Sequence, residues 1–218
     1  MCNLYRHPLV CGFTTNPTLM RKCGITDYAG FARETVAAIP DRPISFEVFS
    51  DEFPEMERQA LKIASWGANV FAKIPVTNTR AESALPLIRR LSEQGVKLNI
   101  TALMTLDQVR EVSLAMEACP AGFISVFAGR IADTGRDPVP LMREAVQLLA
   151  EYKHVELIWA SPRELLNLFQ ADSVGCHVIT ATNDLLSKLS LVDKDLEEYS
   201  LETVKMFRDD AVKAGFVI

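Results

Sequence analysis

Val70-Phe71-Ala72-Lys73-Ile74-Pro75-Val76 is an apolar run of strand length with one lysine at its centre. Runs of this kind form strands buried on both faces, as in a parallel sheet covered by helices. An ammonium group is costly there, because burial disfavours the ionised form and drives the amine toward neutrality. A neutral amine attacks carbonyl carbon, which is the chemistry of Schiff-base lysines. The competing reading is a lysine near a strand end whose stem packs while its head reaches water. The neighbouring strands favour the first reading, because they too carry polar residues among apolar ones.

Working outward, short apolar segments alternate with amphipathic helical patterns along the whole chain. The expected strands are Leu9–Phe13, Ile44–Phe49, Val70–Val76, Leu98–Leu103, Phe123–Phe127, Val155–Ala160 and His177–Ala181. The helical stretches between them are Tyr28–Ile39, Pro54–Ser65, Glu82–Glu93, Leu106–Glu117, Pro140–Tyr152 and Pro162–Phe169, followed by Asp184–Ser190 and a C-terminal helix over about 199–215. Asp27 and Ser161 are placed to cap helices at their N-termini, and Gly95 to end one. Strict βα alternation implies a parallel sheet with right-handed crossovers, either doubly wound or closed into a barrel. A dinucleotide-binding doubly wound fold needs a glycine-rich turn after its first strand, and Gly12 stands alone there.

A (β/α)8 barrel instead gathers its site at the carboxyl ends of the strands, one or two residues from each. That distribution is present. Asn16 follows the first strand, Glu47 lies in the second and Lys73 in the third; Asn99 and Thr101 share the fourth, two apart and so on one face. Ser125 and Arg130 belong to the fifth, and Ser161 and Arg163 to the sixth. The expectation is a (β/α)8 TIM barrel, one domain over 1–218. About seven strands are found where a closed barrel has eight, so the chain is expected to lack its first strand, as an open reading frame that starts late would. An in-frame stop directly before Met1 would remove that expectation.

Composition narrows the function. Nearly half of the 218 residues are hydrophobic (49%), enough for a sizeable core. The net charge of -5 argues against nucleic acid or an anionic membrane as the main partner, without excluding a phosphorylated substrate. Five cysteines, with no C-x-x-C pair, suggest free thiols in a reducing compartment. Met1–Pro8 does not have the form of a signal peptide, and no apolar run reaches membrane-spanning length, so a cytoplasmic location is expected. His7, His154 and His177 have no ligand spacing, and no metal or cofactor is expected.

Lysine, a carboxylate, amide and hydroxyl groups and two arginines suit carbonyl chemistry on a phosphorylated sugar. The Lys73 amine would form an imine with a ketone and supply the electron sink for carbon–carbon cleavage. Imine formation needs proton transfers, work for Glu47 directly or through water. Asn16, Asn99 and Thr101 could hold sugar hydroxyls and that water, or could simply tie loop backbone together. Arg130 and Arg163 could bind phosphate bidentately, with Ser161-Pro162-Arg163 opening a helix after the penultimate strand. Lys97 and Lys153, among polar neighbours, are expected to be solvated and unreactive.

At these positions the chain resembles the transaldolases and fructose-6-phosphate aldolases. Gly12-Phe13-Thr14-Thr15-Asn16-Pro17, Ser45-Phe46-Glu47-Val48, Lys73-Ile74-Pro75-Val76-Thr77, Leu98-Asn99-Ile100-Thr101-Ala102-Leu103, Ile124 to Arg130 and Ala160-Ser161-Pro162-Arg163 are similar, in order, to that family's motifs. The resemblance implies that Lys73 forms the Schiff base and that Glu47 works through a bound water beside Asn16, Asn99 and Thr101. Ser125, Arg130, Ser161 and Arg163 would contact the substrate or its phosphate. Glu47 and Phe127 stand where the aldolases carry glutamine and tyrosine, which implies a transaldolase of the pentose phosphate pathway. A first-strand aspartate that serves the family as general base has no counterpart here. The alternatives are therefore an aldolase releasing dihydroxyacetone and a sugar-phosphate-binding protein with impaired catalysis. The resemblance also implies a homo-oligomer assembled through the C-terminal helix.

Overall fold

The computed structural model describes residues 2–217. In chain order the elements are α1 (Cys2–Tyr5), β1 (Phe13–Thr14), α2 (Pro17–Lys22), α3 (Tyr28–Ala38), β2 (Ile44–Glu47), α4 (Phe53–Ala64), β3 (Val70–Pro75), α5 (Leu85–Glu93), β4 (Leu98–Leu103), α6 (Leu106–Ala115), β5 (Gly122–Val126), α7 (Ala128–Asp133), α8 (Val139–Leu149), β6 (Val155–Trp159), α9 (Leu166–Ser173) and β7 (Val178–Ile179). After β7 come α10 (Asn183–Ser187), a 3-10 turn at Lys188–Leu191 and α11 (Leu196–Ala214). Met1–Thr180 and Ala181–Ile218 form two compact units.

In the first unit all seven strands are parallel and lie side by side in chain order, β1 to β7. This is a (β/α)8-type barrel with one strand fewer, and β1 and β7 are its two edges among the described residues. The sheet sorts its residues by the two-residue period of a strand. Ile44, Phe46, Ala72, Ile74, Leu98, Ile100, Ile124, Val126, Leu157 and Trp159 form one fully buried apolar face. Helices cover that face through residues at three- and four-residue spacing: Met56, Ala60 and Ile63 of α4, Leu87, Ile88 and Leu91 of α5, Val109 and Val112 of α6, and Met142, Ala145 and Leu149 of α8. The alternate residues, Ser45, Glu47, Lys73, Asn99, Thr101 and Ser125, face the other way and carry the polar groups. On that face Phe71 and Phe123, two residues before Lys73 and Ser125, meet at 4.7 Å and form an aromatic floor.

Several sequence expectations shift. The first strand begins at Phe13, not Leu9, and Leu9 is 72% exposed without a strand partner. Helix α5 starts at Leu85 because residues 77–83 fold into a small loop closed by the Thr77–Ser83 bridge, with Ala81 at φ 61°. The sixth strand leads into an irregular segment and α9 begins only at Leu166, so Ser161 caps no helix. Asp27 does cap α3, accepting from Gly30 N at 2.8 Å, and Gly95 follows α5 at φ 77°. The C-terminal helix α11 contains no buried residue. No helix of the described residues is long and apolar enough to cross a membrane.

Candidate active site

Register assembles the centre of the site. Glu47 of β2 pairs with Lys73 of β3, and Lys73 with Asn99 of β4, so three polar side chains stand on one face at neighbouring positions. Lys73 is only 7% exposed. Its Nζ donates to Glu47 Oε2 at 3.2 Å and to the Thr15 carbonyl oxygen at 3.2 Å. The sequence points to a dry amine near a carboxylate; the contact is a largely buried ion pair with a carbonyl as second acceptor. An amine and a carboxylate in such contact are placed for proton exchange between them.

Asn99 is fully buried and bridges three strands. Its Nδ2 donates to Ser45 Oγ at 2.9 Å, and its Oδ1 accepts from Ser125 Oγ at 2.8 Å. Its amide orientation is thereby fixed beside Lys73. Thr101 is 2% exposed, and its buried hydroxyl has no hydrogen-bond partner. Buried polar groups are nearly always satisfied, so an orphan hydroxyl on this face is a group prepared for a ligand or water. The next residue, Ala102, holds φ 68° where the β4–β5 register shifts. A non-glycine residue in that region stores roughly 1–3 kcal/mol of strain.

The remaining expected residues lie on the segments that follow the strands. Asn16 accepts from Leu19 N at 2.8 Å as the N-cap of α2, the structural role weighed against substrate contact. Phe127 precedes α7, and the Arg130 guanidinium stands 5.6 Å from its ring centroid. Ser161 adopts φ 63°, and its N–H donates to Thr180 Oγ1 at 3.4 Å. Gly129 makes that conformation compatible with α7, since a Cβ there would lie 1.6 Å from the Ser161 carbonyl oxygen. Arg163 turns one edge to Asp133: Nε donates to Oδ1 at 2.9 Å and Nη2 to Oδ2. That contact holds the Asp133 carboxyl below its usual range. Among the described residues the other edge of the Arg163 guanidinium makes no protein hydrogen bond.

Four groups escaped the sequence reading: Ser45, Asp133, the Thr15 carbonyl and Tyr28. Ser45 lies two residues before Glu47, so the strand period could have placed it on the site face. Asp133 is three residues past Arg130, within helical reach, but its partner Arg163 is distant in sequence. Tyr28 accepts from Glu47 N at 2.9 Å through its hydroxyl, and no local signal marks it. Lys97 lies at the surface, half-buried, and its Nζ donates to Ala68 O at 2.6 Å. His177, His154 and His7 each bond backbone, to Leu157 N, Met116 O and Leu9 N.

Comparison with known proteins agrees with this geometry. The chain matches the Transaldolase/Fructose-6-phosphate aldolase family over residues 1–218. It is 35% identical over 182 residues to the "Probable transaldolase" of Dehalococcoides mccartyi, covering 83% of this chain and 81% of the relative. It is 32% identical over 211 residues to the "Probable transaldolase" of a Thermoanaerobacter species, covering 96% and 91%. Among solved structures, a dihydrodipicolinate synthase family protein from Coccidioides immitis shares the fold at TM-score 0.60 and 14% identity, over 83% of this chain and 57% of that one. A parallel barrel sheet, a lysine–glutamate pair set in register and a match along the whole chain place this protein in the transaldolase/fructose-6-phosphate aldolase family.

Proposed function

We propose that the chain is a Schiff-base transaldolase that moves a dihydroxyacetone unit from a ketose phosphate, such as fructose 6-phosphate or sedoheptulose 7-phosphate, to an aldose phosphate. The observation that carries this reading is the Lys73–Glu47 pair, buried and in register beside Asn99. Lys73 gives up its proton and its lone pair attacks the C2 carbonyl carbon, whose oxygen takes a proton to give a carbinolamine. Glu47, directly or through water, protonates that hydroxyl so that it leaves as water and the imine forms. The C3–C4 bond then breaks, its electrons pass into the protonated imine as an enamine, and the C4 hydroxyl loses its proton as the aldose departs. The enamine attacks the carbonyl carbon of the acceptor aldose, and hydrolysis returns the amine. Asn99 and Thr101 are assigned to sugar hydroxyls and the water, Ser125 and Asn16 to substrate contact, and Arg130, Ser161 and Arg163 to the phosphate. No second carboxylate contacts Lys73 among the described residues, so cleavage is expected to be slower than imine formation.

Glu47 and Phe127 support transfer over simple release. The centre needs no metal for this chemistry, and α11, with Leu201, Val204 and Phe207 exposed, suits a homo-oligomer that light scattering would detect. Borohydride with fructose 6-phosphate should fix a sugar-derived adduct on Lys73, read by peptide mapping. An adduct elsewhere, or none, defeats the reading. Release of dihydroxyacetone independent of an added aldose acceptor would make the chain an aldolase, and ligand-induced thermal stabilisation without turnover would make it a binding protein.

A further inference from the structure

The β1–β2 ladder stops one step early, and a tyrosine hydroxyl occupies the missing step. Phe13 N donates to Pro43 O at 2.9 Å and Thr15 N to Ser45 O at 3.0 Å, the alternating pattern of a parallel pair. Continuation of that pattern would send Glu47 N–H to the Thr15 carbonyl. Glu47 N instead donates to Tyr28 Oη at 2.9 Å. The Tyr28 hydroxyl lies 3.1 Å from Thr15 Oγ1, which in turn donates to Ser45 O at 3.1 Å. The proton of the Tyr28 hydroxyl faces two acceptors, Thr15 Oγ1 and, at 3.4 Å, the Glu47 carbonyl oxygen, so the hydroxyl joins both backbone groups of Glu47 to Thr15, whose Oγ1–H runs on to Ser45 O. The Thr15 carbonyl is left over, and it turns to Lys73 Nζ at 3.2 Å.

We propose that Tyr28 is a positioning residue for the lysine: by taking the Glu47 amide, it frees the Thr15 carbonyl to hold Nζ beside the Glu47 carboxylate. Tyr28 does not touch the reacting atoms. It acts through the two groups that touch the amine, because its hydroxyl binds the backbone of Glu47 and the side chain of Thr15 at once. Its ring is fixed on the helix side of β2 by edge-to-face contacts with Phe49 at 4.6 Å and Phe46 at 6.0 Å. Burial holds its phenol above the usual range, so the hydroxyl keeps its proton as a donor at neutral pH. The proposal rests on the imine-forming reading of Lys73 for its kinetic consequence, but not for its geometric one.

Tyr28→Phe removes the oxygen and keeps the ring. In its crystal structure the Glu47 amide should close onto Thr15 O, and the Nζ–Thr15 O separation should exceed about 3.5 Å, beyond hydrogen bonding. An Nζ still bonded to Thr15 O overturns the proposal. With fructose 6-phosphate as donor, kcat should fall about five- to tenfold, the worth of one hydrogen bond, while KM stays within about twofold. A variant with wild-type kcat and only a lower melting midpoint also overturns it, since that is a structural role alone. If wild type traps no adduct with borohydride, the imine reading fails, and the crystal structures of the two proteins still decide the positioning.

Discussion

Replacing Glu47 by leucine removes the carboxylate that faces Lys73 and leaves its cation short of a partner. The two side chains are 9% and 16% exposed and their charged atoms are 3.2 Å apart. At that separation, with an effective dielectric of about 20, the attraction is about 5 kcal/mol, much of which offsets desolvation of the two groups. Breaking a buried pair on one side costs about 3–5 kcal/mol because one charge is stranded, whereas replacing both by apolar groups is close to neutral. Lys73 keeps the Thr15 carbonyl, which puts Glu47→Leu at the lower end, about 3 kcal/mol. Glu47→Leu/Lys73→Met should cost less than about 1 kcal/mol, so the coupling between the sites should be about 2 kcal/mol or more. Urea unfolding of wild type, both single variants and the double variant at pH 7 gives this cycle directly. Effects that add within about 0.5 kcal/mol would show that the two charges do not depend on one another, and the ion-pair reasoning would fail.

Asn99→Ala deletes both hydrogen bonds that tie β4 to β2 and β5 and strands two serine hydroxyls; a loss of about 2–4 kcal/mol is expected by denaturant unfolding, with weaker borohydride trapping. Gly129→Ala forces a Cβ to 1.6 Å from the Ser161 carbonyl oxygen, so either α7 or the segment bearing Arg163 must move; a cost of about 2 kcal/mol or more and a raised KM for phosphorylated donors should appear together in unfolding and steady-state assays. Burial pushes the Cys176 thiol up to about 11 and raises that of Cys119, so both stay protonated at pH 8. Iodoacetamide at that pH should label the exposed Cys11 and Cys23 first, by peptide mass mapping, and rapid labelling of Cys176 would contradict its burial.

Much of the site was legible because strand period and order are sequence-level properties. An apolar run with a polar residue at its centre placed Lys73, and the same pattern in β2 and β4 placed Glu47, Asn99 and Thr101 on one face. The groups that hold these side chains were not legible, because they come from distant elements. Tyr28 reads only as the first residue of a helix after a capping aspartate, and its hydroxyl meets Glu47 nineteen residues away. Ser161 before a proline looked like a helix cap. It adopts a positive φ instead, where α7 approaches closely, and the room for that approach comes from Gly129 of α7, distant in sequence. Residues 82–84 read as the start of a helix because Glu82, Ser83 and Ala84 suit one, while the bridge from Thr77 to Ser83 claims the backbone first.

Glu47, Lys73 and Asn99 form a rung across three strands, and their spacing is that of the strands themselves, about 4.8 Å from one to the next. The loops above this rung can lengthen, shorten or change composition without moving the amine relative to its carboxylate. A single-residue deletion between Asn69 and Lys73 is another matter. It would slip β3 by one position, turn the ammonium toward the helices and bring an isoleucine to the face that carries Glu47 and Asn99. Variation in this scaffold is therefore free in the connections and closed in the sheet.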